Sequence, residues 1–323
     1  MTDVEANKTV KKPQSINIDG IVWLTVWFCL NIGVTIMNKA FFKWYSFTFP
    51  ITLSLIHMVC SSLGSFAVMK ASGIRMQVLE GSDNIPIVLF SLLFTANIVV
   101  GNSALRWVNV SLVQVVRSLI PGITMVLSTR LLGKSYTRQY YYIIGLVCFG
   151  VTIASLGEVE FNALGFSLTL LVCFLSSLKS VMTNKFLVGK LQFHPFELLF
   201  RMSSLASIQM ALVGWWFESE DVGKWWSVVS DEEGSIDPQA FGLALAANGA
   251  MAFLLNYSNF MTTKKTSALT VTVAGNVKHI LTIVLSIVVF QNPISFMNGL
   301  GTVITLLGAI LYSGYDYARK NWK

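Results

Sequence analysis

Charge is what this sequence has least of. Asp, Glu, Lys and Arg make up 12% of its 323 residues, against 54% hydrophobic residues. With a mean hydropathy of +0.64, that balance belongs to a polytopic membrane protein rather than a soluble domain. Carboxylates are scarcest where they would matter most: Glu197 alone falls inside an apolar segment. Proton-coupled pumps use buried Asp and Glu relays, so their absence argues against such a pump. No Gly-rich phosphate loop ends in Lys-Ser/Thr, which excludes an ATPase. No HExxH, GxSxG or cluster of metal ligands is present, so neither a catalytic set nor a metal or other cofactor is expected. The four cysteines, Cys29, Cys60, Cys148 and Cys173, lie in apolar segments and form neither a disulfide framework nor a metal motif. The first 19 residues are polar and lack a cleavable signal, so the first apolar segment is expected to act as the anchor. The net charge of +7 is spread over short loops, which excludes nucleic acid as a partner.

What is present is a series of apolar runs of membrane-crossing length, roughly 20 residues each. They predict ten spans: Ile21–Asn38, Phe49–Met69, Pro86–Arg106, Val110–Thr129, Tyr140–Leu156, Leu164–Met182, Phe196–Trp216, Gln239–Phe260, Ser267–Phe290 and Phe296–Tyr315. Of the 23 Lys and Arg residues, fifteen fall in the tails and the loops after spans 2, 4, 6 and 8, and four on the opposite side. By the positive-inside rule both termini are cytoplasmic. The stretch Phe217 to Pro238 reads as a long acidic loop whose tryptophans resemble an interfacial belt.

Span 9 carries one strong charge, Lys278, near the bilayer centre, where insertion costs about 2.5–3.5 kcal/mol. At helical spacing Val271, Ala274, Gly275, Lys278 and Thr282 share one face, small and cationic. Thr272, Asn276 and His279 form a polar stripe beside it. Intramembrane charges usually mark a pathway, and this arrangement suggests an anion held at mid-membrane. Span 4 places Gln114, Arg117, Pro121, Thr124 and Ser128 on one stripe. Arg117 can grip a phosphate through two parallel donors, and Pro121 frees a carbonyl in the preceding turn. Asn31, Thr35 and Asn38 in span 1, Ser176, Lys179, Ser180 and Thr183 in span 6, and Asn256, Tyr257 and Asn259 in span 8 are candidates to read a sugar or base, or equally to join helices. His57 reads as a neutral bundle residue, and Glu197 and Arg201, four apart, as a mutually neutralising pair.

The chain also looks duplicated. Met37-Asn38-Lys39 ends span 1 and Met182-Thr183-Asn184-Lys185 ends span 6; Thr-x-Val-Leu-Ser occurs at 124–128 and at 282–286. Five spans per half requires the halves to be inverted, the architecture of alternating access around a midplane site. The expected units are a cytoplasmic tail over 1–20, a first five-helix repeat over 21–156, a second over 157–315 and a cytoplasmic tail over 316–323. Lys39 and Lys185 then stand at opposite mouths as gating residues.

Ser267-Ala-Leu-Thr…Gly275-Asn276-Val-Lys278, followed by Pro293, Asn298-Gly-Leu-Gly301, Gly308 and Leu311-Tyr312-Ser313, resembles the last two helices of the triose-phosphate and nucleotide-sugar translocators. Asn38-Lys39 and Asn184-Lys185 are similar to helix ends of that family, and the resemblance spans about Gly20 to Tyr315. It implies ten helices in two inverted halves and strict exchange of one phosphorylated solute for another. Plastid sugar-phosphate members carry Lys-Arg in span 9; here His279 follows Lys278. The tail contains Asp3, Glu5 and Asp19 and does not read as a transit peptide. Gly275-Asn276-Val-Lys278 stands where GDP-mannose carriers have Gly-Ala-Leu-Asn-Lys, and their Phe-Tyr-Asn-Asn is missing. These departures favour a nucleotide sugar, with UDP-sugars ahead of GDP-mannose. The resulting expectation is a non-enzymatic antiporter of the Golgi or ER membrane. It imports a nucleotide sugar in exchange for nucleoside monophosphate, with the lipid bilayer as its environment and a homodimer as a possible assembly. A sugar-phosphate/phosphate exchanger or a non-transporting membrane accessory protein is the alternative. Lys278 and Arg117 hold phosphate; Asn31, Thr35, Asn256, Tyr257, Gly275, Asn276 and His279 are the sugar or base candidates. The orientation is checked by a cysteine introduced near Ser235, expected to react with a membrane-impermeant thiol reagent in sealed right-side-out vesicles only after detergent is added. Reaction before detergent overturns the topology.

Overall fold

The structure is a computed structural model that describes residues 18–79, 81, 84–104, 107–108, 110–157, 161–230, 237–275 and 295–321. Asn276, Lys278 and His279, and with them most of the expected ninth span, lie outside the described residues. So do residues 1–17 and Ser235. All regular structure among the described residues is helical, and eight helices are long and apolar enough to cross a membrane. The helices are α1 (Ile18–Trp44), α2 (Pro50–Ala71), α3 (Asn84–Ala104), α4 (Val110–Arg117), α5 (Ile120–Leu132), α6 (Arg138–Leu156), α7 (Ala163–Val188), α8 (Pro195–Ser230), α9 (Pro238–Lys265) and α10 (Phe296–Asn321); residues 268–275 are helical as well. Prolines open α2, α8 and α9, where a missing N–H costs nothing. Gly133, at φ 64°, ends α5 in the left-handed conformation that glycine adopts without strain.

Two features differ from the sequence expectation. The fourth span is broken into α4 and α5 at Ser118–Leu119, whose N–H groups turn back to the carbonyls of Val115 and Val116. The seventh helix does not stop at Trp216: α8 runs 36 residues to Ser230, through the first part of the expected acidic loop. Its extension is held by Glu218, a buried carboxylate that accepts from the backbone N–H groups of Ile51 (2.9 Å) and Thr52 (2.7 Å) and from the Thr52 hydroxyl (2.7 Å). Phe49 gives α2 no side-chain cap and its first turn has no acidic residue. Glu218 therefore satisfies orphan donors and meets the positive end of the α2 dipole. Trp225, two turns further on, donates its indole N–H to the Tyr45 carbonyl and packs on Phe47, Phe49 and Phe241.

At its other end α8 clasps the chain beyond α2. Glu197 accepts from the Gln77 N–H, Arg201 donates to the Gln77 carbonyl, and the two side chains pair at 2.9 Å. α2 and α8 thus form one strapped outer pair. A second outer pair is α6 with α10, where glycine replaces side chains at the crossing: a Cβ on Gly301 would overlap the Ala154 backbone, and one on Gly150 the backbone of Thr305 and Gly301. Asn298 donates to the Ala154 carbonyl (3.1 Å) and Ser295 to that of Gly157, closing the contact with polar groups. Between the outer pairs, α1 lies on α9, α3 on α7, and α4 and α5 on α7.

Gly301→Leu forces backbones apart at the α6–α10 crossing, so it is expected to lower the stability of the purified protein by about 1–3 kcal/mol or more. Gly145→Leu, on the partner helix α6 but facing open space, is expected to stay within about 0.5 kcal/mol. Equal thermal unfolding midpoints for the two variants would show that the crossing is not close-packed.

Candidate functional site

The inner helices line a cavity of about 310 Å³, within the usual range of ligand pockets. α1 contributes Trp27 and Asn31, and α9 contributes Leu255, Asn256, Asn259 and Phe260. The opposite wall is Phe94 and Asn97 of α3 with Val172, Ser176, Lys179, Ser180 and Thr183 of α7. Arg117 and Ile120 enter from the α4–α5 break, and Val271, Thr272 and Gly275 from the helical segment 268–275.

The break explains how Arg117 reaches the cavity. Pro121 has no N–H to return to the Arg117 carbonyl, so α4 ends at Arg117 and the chain turns before α5 begins. Backbone groups loosened there must find partners inside the protein, because lipid offers none. α7 adds contacts on both sides of the turn: the Cys173 thiol approaches the Val116 carbonyl (3.5 Å), and the Ser177 hydroxyl reaches the Ile120 carbonyl (3.1 Å). Arg117 then projects from the end of α4 toward Gly101, a guanidinium nitrogen lying at ordinary contact distance, 3.8 Å, from where a Cβ on that glycine would stand. Its buried Nε has no hydrogen-bond partner among the described residues. Lys179 faces the same space, its ammonium 4.7 Å from the centre of the Phe94 ring. These two are the charged side chains of the described lining, which holds no carboxylate. Around them stand amides and hydroxyls that can donate or accept. Some are already engaged: Asn97 donates to Ser176 (2.8 Å) and Asn256 to Ser61 (3.1 Å). Chemically, the cavity suits an anion with polar groups to be read by amides.

The structure brings Arg117, Asn31, Asn256 and Gly275 together. Thr35 and Tyr257 are not brought to it. Thr35 is exposed and donates to the Asn31 carbonyl (2.7 Å), and Tyr257 stacks on Phe196 at 3.9 Å, with Trp23 against its edge. Lys185 is exposed in the last turn of α7, and Lys39 lies near the end of α1. Beside them the asparagines make the interhelical bonds: Asn248 of α9 donates to Asn38 (3.0 Å), and Asn184 donates to the Thr263 carbonyl (3.4 Å) while accepting from Lys134 (3.5 Å). Trp27 and Phe94 were not singled out from the sequence, because an aromatic residue in an apolar run carries no signal there. Lys179 was read as one polar group among four on α7; its signal was a lysine inside a span with no carboxylate at helical spacing.

Residues 19–313 match the model of the Triose-phosphate Transporter family. The chain is 32% identical to the GDP-mannose transporter GONST5 of Arabidopsis thaliana, over 90% of this chain and 83% of that one. It is 31% identical to UDP-galactose transporter 1 of the same plant, over 90% and 84%. A protein described as a probable sugar phosphate/phosphate translocator, also from Arabidopsis thaliana, is 32% identical over 91% and 94%.

Arg117→Met is expected to leave the thermal stability of the ligand-free protein unchanged or raised, since it removes a buried charge that has no carboxylate partner among the described residues. A loss of about 3–5 kcal/mol, the size seen when one member of a buried pair is deleted, would mean that the guanidinium is paired.

Proposed function

The chain belongs to the Triose-phosphate Transporter family, and from that premise we propose that it is an antiporter of nucleotide sugars working by alternating access. It is a multi-pass membrane protein in a family of transporters, not an enzyme. In the proposed cycle a nucleotide sugar enters the Golgi or ER lumen and the nucleoside monophosphate leaves. Both tails, 1–20 and 316–323, face the cytosol, and ten spans form two inverted repeats, 21–156 and 157–315.

The observation that carries this reading is the central cavity, which offers cations and amides but no carboxylate in its described lining. The relatives' names join a GDP-sugar, a UDP-sugar and a sugar phosphate, solutes that share a phosphoryl group on a sugar. Helix pairing supports the inverted repeat. Exchanging spans 1–5 with 6–10 maps α2–α8 and α6–α10 onto themselves, and turns α1–α9 into α3–α7. The register that aligns Thr124–Ser128 with Thr282–Ser286 sets Arg117 against Gly275 and Ile120 against Lys278. Arg117, Gly275 and Ile120 all line the cavity, which supports a reading in which Lys278 serves the same site from the second half. In this reading Arg117 and Lys278 hold phosphate. Asn31, Asn256 and Gly275, with Asn276 and His279, contact sugar and base, and Lys39 and Lys185 act at the two mouths.

Counterflow into proteoliposomes tests the proposal. Preloaded UMP or GMP is expected to accelerate uptake of the matching labelled nucleotide sugar, and Lys39→Ala or Lys185→Ala to slow it with binding retained. Acceleration of triose phosphate by preloaded inorganic phosphate instead would make the protein a sugar-phosphate exchanger. No acceleration with any pair would leave a non-transporting accessory protein.

A further inference from the structure

We propose that Asn184 and Asn38 are paired latches of the transport cycle: Asn184 holds the end of α9 in this structure, and in the opposite state it lets go while Asn38 takes the carbonyl of Ala104 at the end of α3. The inference rests on the inverted repeat and the exchange proposed above, and adds to them the contact that keeps each mouth shut.

The packed helices give the repeat a register. Ser61-Ser62-Leu63-Gly64-Ser65 of α2 matches Ser203-Ser204-Leu205-Ala206-Ser207 of α8. Ser62 and Ser204, equivalent in that match, bond each other at 2.7 Å. Groups related by a two-fold axis meet each other only on that axis, so the pseudo-axis passes through this contact. Phe94-x-x-Asn97 of α3 likewise matches Phe253-x-x-Asn256 of α9. The Phe253 ring lies against Gly64, and Phe94 shares a buried cluster with Ala206, the residue equivalent to Gly64. Asn38-Lys39 of α1 matches Asn184-Lys185 of α7. Thr263, seven residues after Asn256, is then the counterpart of Ala104, seven after Asn97.

The two ends are not in the same state. Asn184 is buried; it donates to the Thr263 carbonyl (3.4 Å) and accepts from Lys134 (3.5 Å), so it joins α7, α9 and the chain after α5. Thr183 and Phe260, which line the cavity, lie one residue and one turn away. The bond therefore closes one end of the cavity, the cytosolic end in the proposed orientation. Phe260 joins Phe94, Phe186 and Leu187 in one buried cluster there. At the other end Asn38 makes no bond to α3 among the described residues. It accepts from Asn248 of α9 (3.0 Å), whose own oxygen lies 2.7 Å from the His57 ring of α2. The buried cluster at that end, built on Phe41, Phe47, Phe49 and Phe241, draws in no described residue of α3. The Ala104 carbonyl accepts from the Trp107 N–H (3.0 Å), and its second lone pair can take another donor.

Both carbonyls belong to the last turn of a helix, where no intrahelical donor reaches them. Lipid cannot satisfy them, so a latch is released only as water enters. Opening a mouth and breaking its latch are thus one event. The competing role for Asn184 is a static tie of α7 to α9, independent of α1 and α3.

The experiment joins cysteine pairs with a short bis-methanethiosulfonate in the purified full chain, with the single-cysteine variants as controls for the native thiols. The pair Asn184→Cys with Thr263→Cys is expected to link readily without ligand, and Asn38→Cys with Ala104→Cys slowly. Adding Asn184→Ala to the second pair should speed its linkage about threefold, the population shift that one interhelical bond supports. Linking the first pair should stop counterflow in proteoliposomes, and cleaving the link with reductant should restore it. An unchanged linkage rate in the second pair on adding Asn184→Ala overturns the inference in favour of the static tie. Should that triple variant not fold, the first pair decides: counterflow that continues with the pair linked overturns the inference, and reversible arrest supports it. Counterflow that survives the link removes this inference alone. Absence of counterflow in the wild type removes the exchange reading, and this inference with it.

Discussion

A chain in lipid must answer every backbone hydrogen bond from within, and the α4–α5 break is where this one meets that demand by tertiary means. Within α2, α3 or α9 the bonds close along the helix itself. At Ser118–Leu119 they cannot, since Pro121 interrupts the ladder. The thiol of Cys173 and the hydroxyl of Ser177, one turn apart on α7, bond the Val116 and Ile120 carbonyls on either side of the turn. Because the break is stitched to α7, the two cations of the cavity have a fixed relation: Arg117 leaves the end of α4, and Lys179 leaves α7 two residues beyond Ser177. Irregular backbone is tolerated at membrane depth only where protein or a polar cavity covers it. Here both conditions hold on the two sides of the same turn.

The remaining helices divide into those that keep shape and those that surround the cavity. α2 with α8, and α6 with α10, are joined by contacts that leave little room to slide. Glu218 and the Glu197–Arg201 pair fasten α8 at both ends of α2. In the other pair, glycine lets backbones touch. The inner contacts are of another kind: Asn97 on Ser176, Asn256 on Ser61, Asn248 on Asn38. Each joins small polar groups, and one such bond is worth about 0.6 kcal/mol on average between membrane helices. Such bonds set helix rotation without locking it. Under the alternating access proposed here, the outer pairs serve as the frame and the inner helices as the parts that exchange partners.

The multi-pass helical fold was legible in the sequence because hydropathy is a bulk property that survives errors at helix ends. The break was legible in part: Pro121 gave its place, but nothing local said that Cys173 and Ser177 would close it. The extension of α8 was not legible. Glu218, Glu220 and Asp221 look like a solvated loop, and the group that stabilises Glu218 is the start of α2, 167 residues away from it in sequence. In the cavity, residues chosen by polarity and helical spacing, such as Arg117, Asn31 and Asn256, line it. Tyr257 was chosen for lying between Asn256 and Asn259, yet each helical residue turns about 100°. That turn carries its ring to Phe196 and away from the cavity. Trp27 and Phe94 gave no signal, because a cavity wall and a packed core use the same aromatic residues.

The scarcity of carboxylate with which the sequence opens acquires a physical sense at this site. A carboxylate beside Arg117 and Lys179 would neutralise them and make the empty cavity comfortable. The energy of the protein would then depend little on whether a ligand was present. With amides and hydroxyls instead, the neighbours are dipoles that can adapt to a ligand but cannot cancel a net charge. Closing such a cavity empty withdraws two like charges from water with nothing between them, whereas closing it around an anion does not. The barrier to returning empty is thereby raised relative to the barrier to returning loaded. In the exchange proposed here, that difference couples the inward step of one anion to the outward step of another, with no ion gradient or ATP site needed for the coupling.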